Sequence, residues 1–62
     1  MVGQNVRSLR LQREWSQEEL AHRAGLHWTM VGQVERGERN LSVRNVCRLA
    51  WALGVAPGKL LE

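Results

Sequence analysis

One cysteine, Cys47, one proline, Pro57, and neither tyrosine nor phenylalanine are what these 62 residues hold least of. A lone cysteine cannot close an internal disulfide, and with two histidines at unrelated spacing it supplies no metal site. A reducing, cytoplasmic setting is therefore expected. No apolar run approaches the roughly 20 residues of a membrane span, and the opening MVGQNVRSLR has no signal-peptide hydrophobic stretch, so a soluble, unexported chain is predicted. There is no nucleophile beside a base, no carboxylate pair set for acid–base work and no phosphate loop. These absences argue against an enzyme and against a bound cofactor. Linkers, low-complexity segments and internal repeats are absent too, so residues 1–62 read as one domain. At this size a chain buries only about 60% of its unfolded surface, and its core must be thin.

What the chain does have is arginine. Lysine and arginine number nine against six acidic residues, a formal charge of +3. Eight of those nine cations are arginine. Mild basicity alone fits a solvated surface as well as a polyanion site. The arginine bias leans it toward nucleic acid, because the planar guanidinium fork matches phosphates and guanine edges.

The apolar spacing predicts an all-α chain of five helices. The first runs from about Gln4 to Arg13, with Val2, Val6 and Leu9 on one face and Arg10 on its flank, and stops near Glu14 and Trp15. The second opens at Ser16, where Ser16 and Glu19 have the spacing of a reciprocal capping box. Its inner stripe is Gln17, Leu20, Ala21 and Ala24, and Glu18 with His22 and Glu19 with Arg23 are candidate exposed i,i+4 pairs. Gly25 ends it. The third, about Trp28 to Arg36, turns Val31 and Val34 inward and Thr29, Gly32, Gln33 and Arg36 outward, with Gly37 as its stop. The fourth follows the cap candidate Ser42 and runs to Leu53 before Gly54, and Pro57 suits the first turn of a fifth carrying Leu60 and Leu61.

The most informative stretch is SQEELAHRAGLHWTMVGQVERG, residues 16 to 37. Small Ala21 sits where two helices must touch, Gly25 allows the positive φ of a sharp turn, and Leu20, Val31 and Val34 fill the angle between the helices. Such a pair, with its motif at about 17–36, can push its second helix into a DNA groove. Arg10 and Glu35 each flank an apolar stripe, where an unpaired charge would be costly, so they are expected to pair. The competing role for Arg10 is direct phosphate contact. In the fourth helix, Val46, Leu49, Ala50 and Leu53 form one apolar stripe and Val43, Cys47 and Trp51 a second, together an arc of roughly 200°. One small domain cannot easily bury both, so Trp51 is expected to meet a partner. Cys47 reads as a small packing residue rather than a redox switch.

LRLQREWSQEELAHRAGL, VERGERN and LAWALGV resemble the Xre/Cro family of bacterial and phage helix-turn-helix regulators, over nearly the whole chain. The resemblance implies a compact five-helix, lambda-repressor-like DNA-binding domain that binds double-stranded operator DNA as a symmetric homodimer. It implies the second motif helix in the major groove, with Trp28, Thr29, Gly32 and Gln33 at base-contacting positions and Gln17 on phosphate. It also implies dimerisation through the last two helices, so that Trp51 with Pro57 and Leu60 or Leu61 would form a two-fold patch. Arg36, Arg39, Asn40 and Arg44, around the loop behind the recognition helix, are the further phosphate candidates. Family members commonly carry serine, a polar or basic residue, an aromatic and serine where this chain has His27, Trp28, Met30 and Gly32. His27 is the poorer cap, and Gly32 costs about 1 kcal/mol within a helix while letting the backbone approach the groove. Gln33 could then bond an adenine and Trp28 touch thymine methyls or a sugar edge. Alternatively Trp28 folds back over Arg10 or Glu35. The function expected is transcriptional regulation by operator binding. The second reading is an antitoxin or partner-binding module in which the Trp51 face takes another protein.

Overall fold

The computed structural model describes residues 2–62, and every described regular element is helical. The helices are α1 (Val2–Gln12), α2 (Gln17–Ala24), α3 (Trp28–Glu35), α4 (Val43–Leu53) and α5 (Pro57–Leu60). None is long and apolar enough to cross a membrane. Helix α1 starts two residues before the expected Gln4, and α3 stops one residue short of Arg36.

Local chemistry explains most of the boundaries. The Ser16 hydroxyl accepts the Glu19 N–H at 3.0 Å and so opens α2. The reciprocal half of the expected capping box is missing, because the Glu19 carboxylate turns to Arg23 Nε at 2.7 Å. No ion pair joins Glu18 to His22 among the described residues. Ser42 caps α4 by accepting the Asn45 N–H at 3.1 Å. Gly25 (φ +69°) closes α2 in the left-handed region, and the Leu26 N–H returns to the Ala21 carbonyl at 2.9 Å. That bond uses a carbonyl the helix end would otherwise leave unpaired and redirects the chain into α3.

The core takes one stripe from each helix. Val6, Leu20, Ala21, Ala24, Val31, Val34, Val46, Leu49, Ala50, Leu53 and Leu60 are buried together. Leu60 is 0% exposed whereas its neighbour Leu61 is 63% exposed. Successive helical residues point about 100° apart, so a one-turn helix can turn only one of two adjacent leucines inward. Leu60 therefore belongs to the core and cannot serve the dimer patch expected of it. Outside the core, Arg13 donates to the Leu9 and Leu53 carbonyls, and Arg23 stacks its guanidinium 4.2 Å from the centre of the Trp15 ring. The end of α1 is thereby fastened to α2 and α4.

Two contacts that the apolar pattern does not reveal close α1 onto the remainder. Asn5 donates to the Leu60 carbonyl at 3.0 Å and to the Glu62 carbonyl at 3.1 Å, pinning the end of the chain. Gly3 lies so close to the end of α3 that a β-carbon there would overlap the Val34 carbonyl oxygen and stand 3.0 Å from that of Glu35.

Candidate nucleic-acid interface

The orientation of α3 is set from behind by a buried ion pair. Arg10 Nε donates to Glu35 Oε2 at 2.7 Å and Nη2 to Oε1 at 2.9 Å, while Nη1 reaches the Trp15 carbonyl at 2.7 Å. Gln17 Nε2 adds a bond to Glu35 Oε1 at 3.0 Å. One carboxylate at the end of α3 thus ties α1, the α1–α2 turn and the start of α2 together. The hydrogen bond to Glu35 raises the Arg10 pKa, with burial opposing and the Glu35 charge reinforcing it. With three of its donors spent on these partners and 8% exposure, Arg10 is turned into the molecule rather than toward a phosphate.

The side of α3 away from the core carries the residues singled out above. At its start the His27 ring nitrogen Nδ1 accepts the Thr29 N–H at 3.3 Å and lies 2.8 Å from Thr29 Oγ1. This cap is long for a hydrogen bond, in keeping with histidine being a weaker cap than serine. Trp28 is 54% exposed and stacks on the His27 ring, centroids 6.4 Å apart. It does not fold back over Arg10 or Glu35. Thr29 is exposed beside it. Met30 is half-buried and packs inward against α4, where Asn45 Nδ2 approaches its sulfur at 3.7 Å.

Gly32 is buried rather than part of the open edge. A β-carbon there would stand 3.1 Å from Arg36 Nη1 and 3.3 Å from Gln17 Oε1, so those two side chains lie across it. The glycine therefore makes a slot for Gln17 and Arg36 and is shielded from a base by them. Gln33 is half-exposed, and its Oε1 accepts a hydrogen bond from Arg39 Nη1 at 3.2 Å. Arg36 is exposed but paired with Glu38 at 3.1 Å. Asn40 and Arg44 are exposed and make no side-chain hydrogen bond among the described residues. The fold brings Trp28, Thr29, Gln33 and Arg39 to one edge and Gln17, Gly32 and Arg36 to the adjoining slot. It does not tie Asn40 or Arg44 to either group.

The helix N-terminus at α2 adds donors. Ser16 satisfies only the Glu19 N–H, which leaves the N–H groups of Gln17 and Glu18 without an intrahelical partner. Such groups favour an anion. On α4 the second apolar stripe is uncovered: Val43 is 81% and Trp51 78% exposed, with Cys47 exposed between them. Cys47 is thus not a packing residue within this chain. Pro57 and Leu61 are exposed as well.

A family model described as "Helix-turn-helix" matches residues 6–60. The chain is similar to the control protein C.BamHI of Bacillus amyloliquefaciens, 44% identical over 63 residues covering 100% of this chain and 78% of that protein. Among solved structures it is similar to the restriction-modification controller protein C.AhdI of Aeromonas hydrophila. The TM-score there is 0.92 at 47% identity, covering 95% of this chain and 89% of that one. It is also similar to the biofilm master regulator SinR solved in complex with DNA, with TM-score 0.94 at 28% identity and 100% of both chains covered.

Proposed function

The chain belongs to the helix-turn-helix family of DNA-binding transcription regulators, and from that membership we propose that it acts in the cytoplasm as a homodimer on an operator, with α3 in the major groove. Trp28, Thr29 and Gln33 face base edges in this reading. Gln17, the open N–H groups at the start of α2, Arg36, Arg39, Asn40 and Arg44 face the phosphates. The observation that carries it is the division of labour on α3. Val31, Val34 and Glu35 are committed to the body, whereas Trp28 and Thr29 are exposed and Gln33 half-exposed, with side-chain partners (His27 and Arg39) that lie outside the core. The similarity to a regulator solved with DNA supports the same placement, and similarity to control proteins supports a promoter-occupying role of the controller kind.

Two subunits are needed because one eight-residue helix reads only a few base pairs. A two-fold pair would set two copies of α3 about 34 Å apart, on successive major grooves of one face of the duplex. The uncovered Val43–Cys47–Trp51 stripe, with Pro57 and Leu61, is the surface that supports this pairing. Regulation would then follow the protein's own concentration, since two subunits must assemble before tight binding.

Selection of sites from random duplexes, run beside sedimentation, tests the reading. Two inverted half-sites are expected, and affinity should fall by about 10³ to 10⁵ between 50 and 200 mM salt if a dimer neutralises six to ten phosphates. Failure to retain any duplex at low salt would overturn it. A pull-down that recovers a different protein on the Trp51 face, with DNA affinity untouched by Trp51→Glu, would favour the partner-binding reading instead.

A further inference from the structure

The bond between Arg39 and Gln33 gives this interface a chemical preference that the residue types alone do not. Three observations hold Arg39 where it is. The chain turns at Gly37, the Glu38 N–H returns to the Gln33 carbonyl at 2.8 Å, and Arg39 Nη1 then reaches Gln33 Oε1 at 3.2 Å. The neighbouring cation, Arg36, is neutralised by Glu38, whereas Arg39 has no carboxylate within ion-pair distance among the described residues. The free guanidinium charge of this loop is therefore laid against the amide oxygen of a residue on the open edge of α3.

An unattached glutamine reads adenine by accepting from N6 through its oxygen and donating to N7 through its nitrogen. Here one of the two lone pairs of the amide oxygen is taken by a cation, whose charge disfavours a second donor such as adenine N6 beside it and leaves the Nε2 hydrogens as the better group to offer a base. The guanidinium still has unused N–H donors beside them, since one of its five is spent on Gln33. Two adjacent donors match the O6 and N7 acceptors of guanine and oppose the N6 donor of adenine. We propose that Gln33 and Arg39 act as one two-donor reader selective for guanine, with Arg39 as both the second donor and the group that positions Gln33. This rests on the groove-binding reading of α3, reverses the adenine preference expected from Gln33 alone, and moves Arg39 from the phosphate-facing set to the base-reading edge.

The test compares the wild type with Arg39→Ala and Gln33→Ala on the selected operator and on duplexes in which each half-site guanine is replaced singly by adenine or 7-deazaguanine. Thermal melts accompany each variant, and both side chains lie outside the core. For the wild type, one guanine per half-site should lose about 5- to 150-fold in affinity when replaced by adenine, and its 7-deaza analogue should also bind more weakly. In Arg39→Ala the freed amide should prefer adenine at that position. In Gln33→Ala the guanine preference should weaken without inverting. Two results would overturn the proposal: a wild-type preference for adenine there, or an Arg39→Ala protein weakened evenly on every duplex with its base preferences intact, which would make Arg39 a phosphate contact only. Absence of any wild-type binding at low salt would remove the groove reading and this inference with it. An intact operator with unchanged preferences removes only the inference.

Discussion

Replacing Arg10 by methionine removes a guanidinium that spends three donors inside the molecule, two on Glu35 and one on the Trp15 carbonyl. What remains is a carboxylate whose side chain is 3% exposed, held among the described residues only by Gln17 Nε2 at 3.0 Å. Removing one partner of a buried pair typically costs about 3 to 5 kcal/mol, because the other charge stays desolvated. A chain of this length has about 3 to 9 kcal/mol of stability in all, at roughly 0.05 to 0.15 kcal/mol per residue. Arg10→Met should therefore consume most of it, lowering the melting temperature by on the order of 20 °C. The double variant Arg10→Met/Glu35→Leu removes both charges and should recover the loss, since an apolar pair of similar volume is often neutral or better. Urea melts of the four proteins in this cycle give the coupling directly. A loss below about 1 kcal/mol in Arg10→Met would refute the reasoning, as it is the behaviour of a solvated pair. The Arg10 pKa is raised in the folded state, so its stabilisation is complete below the unfolded value and lost only as pH rises through the folded one. Arg10 titration accordingly adds no slope to stability between about pH 6 and about pH 9.

Gly3→Ala should cost about 1 to 3 kcal/mol despite the better helix propensity of alanine, because its β-carbon meets carbonyl groups of α3 that cannot move aside; a stabilised variant in urea would contradict the close approach of α1 to α3. Glu14 sits at φ +58°, a left-handed conformation without glycine. Glu14→Gly should gain about 0.5 to 1 kcal/mol, the relief of roughly 1 to 2 kcal/mol of strain less the flexibility glycine adds to the unfolded chain, and a melt showing no gain would place the strain elsewhere. Trp51→Glu and Leu60→Ala separate surface from core. The first should leave the melting of the monomer within about 0.5 kcal/mol and abolish self-association in sedimentation, and the second should cost about 2 to 5 kcal/mol of stability.

How far the fold could be read in advance depended on the range over which each determinant acts. Ser16, Gly25, Ser42 and Gly54 place helix ends through bonds to residues a few positions away and Pro57 through its fixed φ, and the structure uses all five at those ends. The Arg10–Glu35 pair was legible although 25 residues separate the two, because a charge on each apolar flank leaves each little choice of partner. Gly3 was not, since its role is the absence of an atom where α1 meets carbonyls more than thirty residues on. Gly32 looked like part of the open edge on the helical wheel, and only the side chains of Gln17 and Arg36 lying across it show otherwise. Exposed arginines were the hardest to sort. Arg36 and Arg39 are three positions apart in one loop and have the same chemistry, and what distinguishes them is Glu38. Its carboxylate is close enough to take one guanidinium, and the turn after Gly37 hands it Arg36. Arg39 keeps its charge and is laid on Gln33 instead. Glu38→Gln should therefore free Arg36 as well, strengthening binding to every duplex by a similar factor while leaving the guanine position unchanged. A change of base preference in that variant would mean that Glu38, rather than the Gln33 amide, decides where Arg39 points.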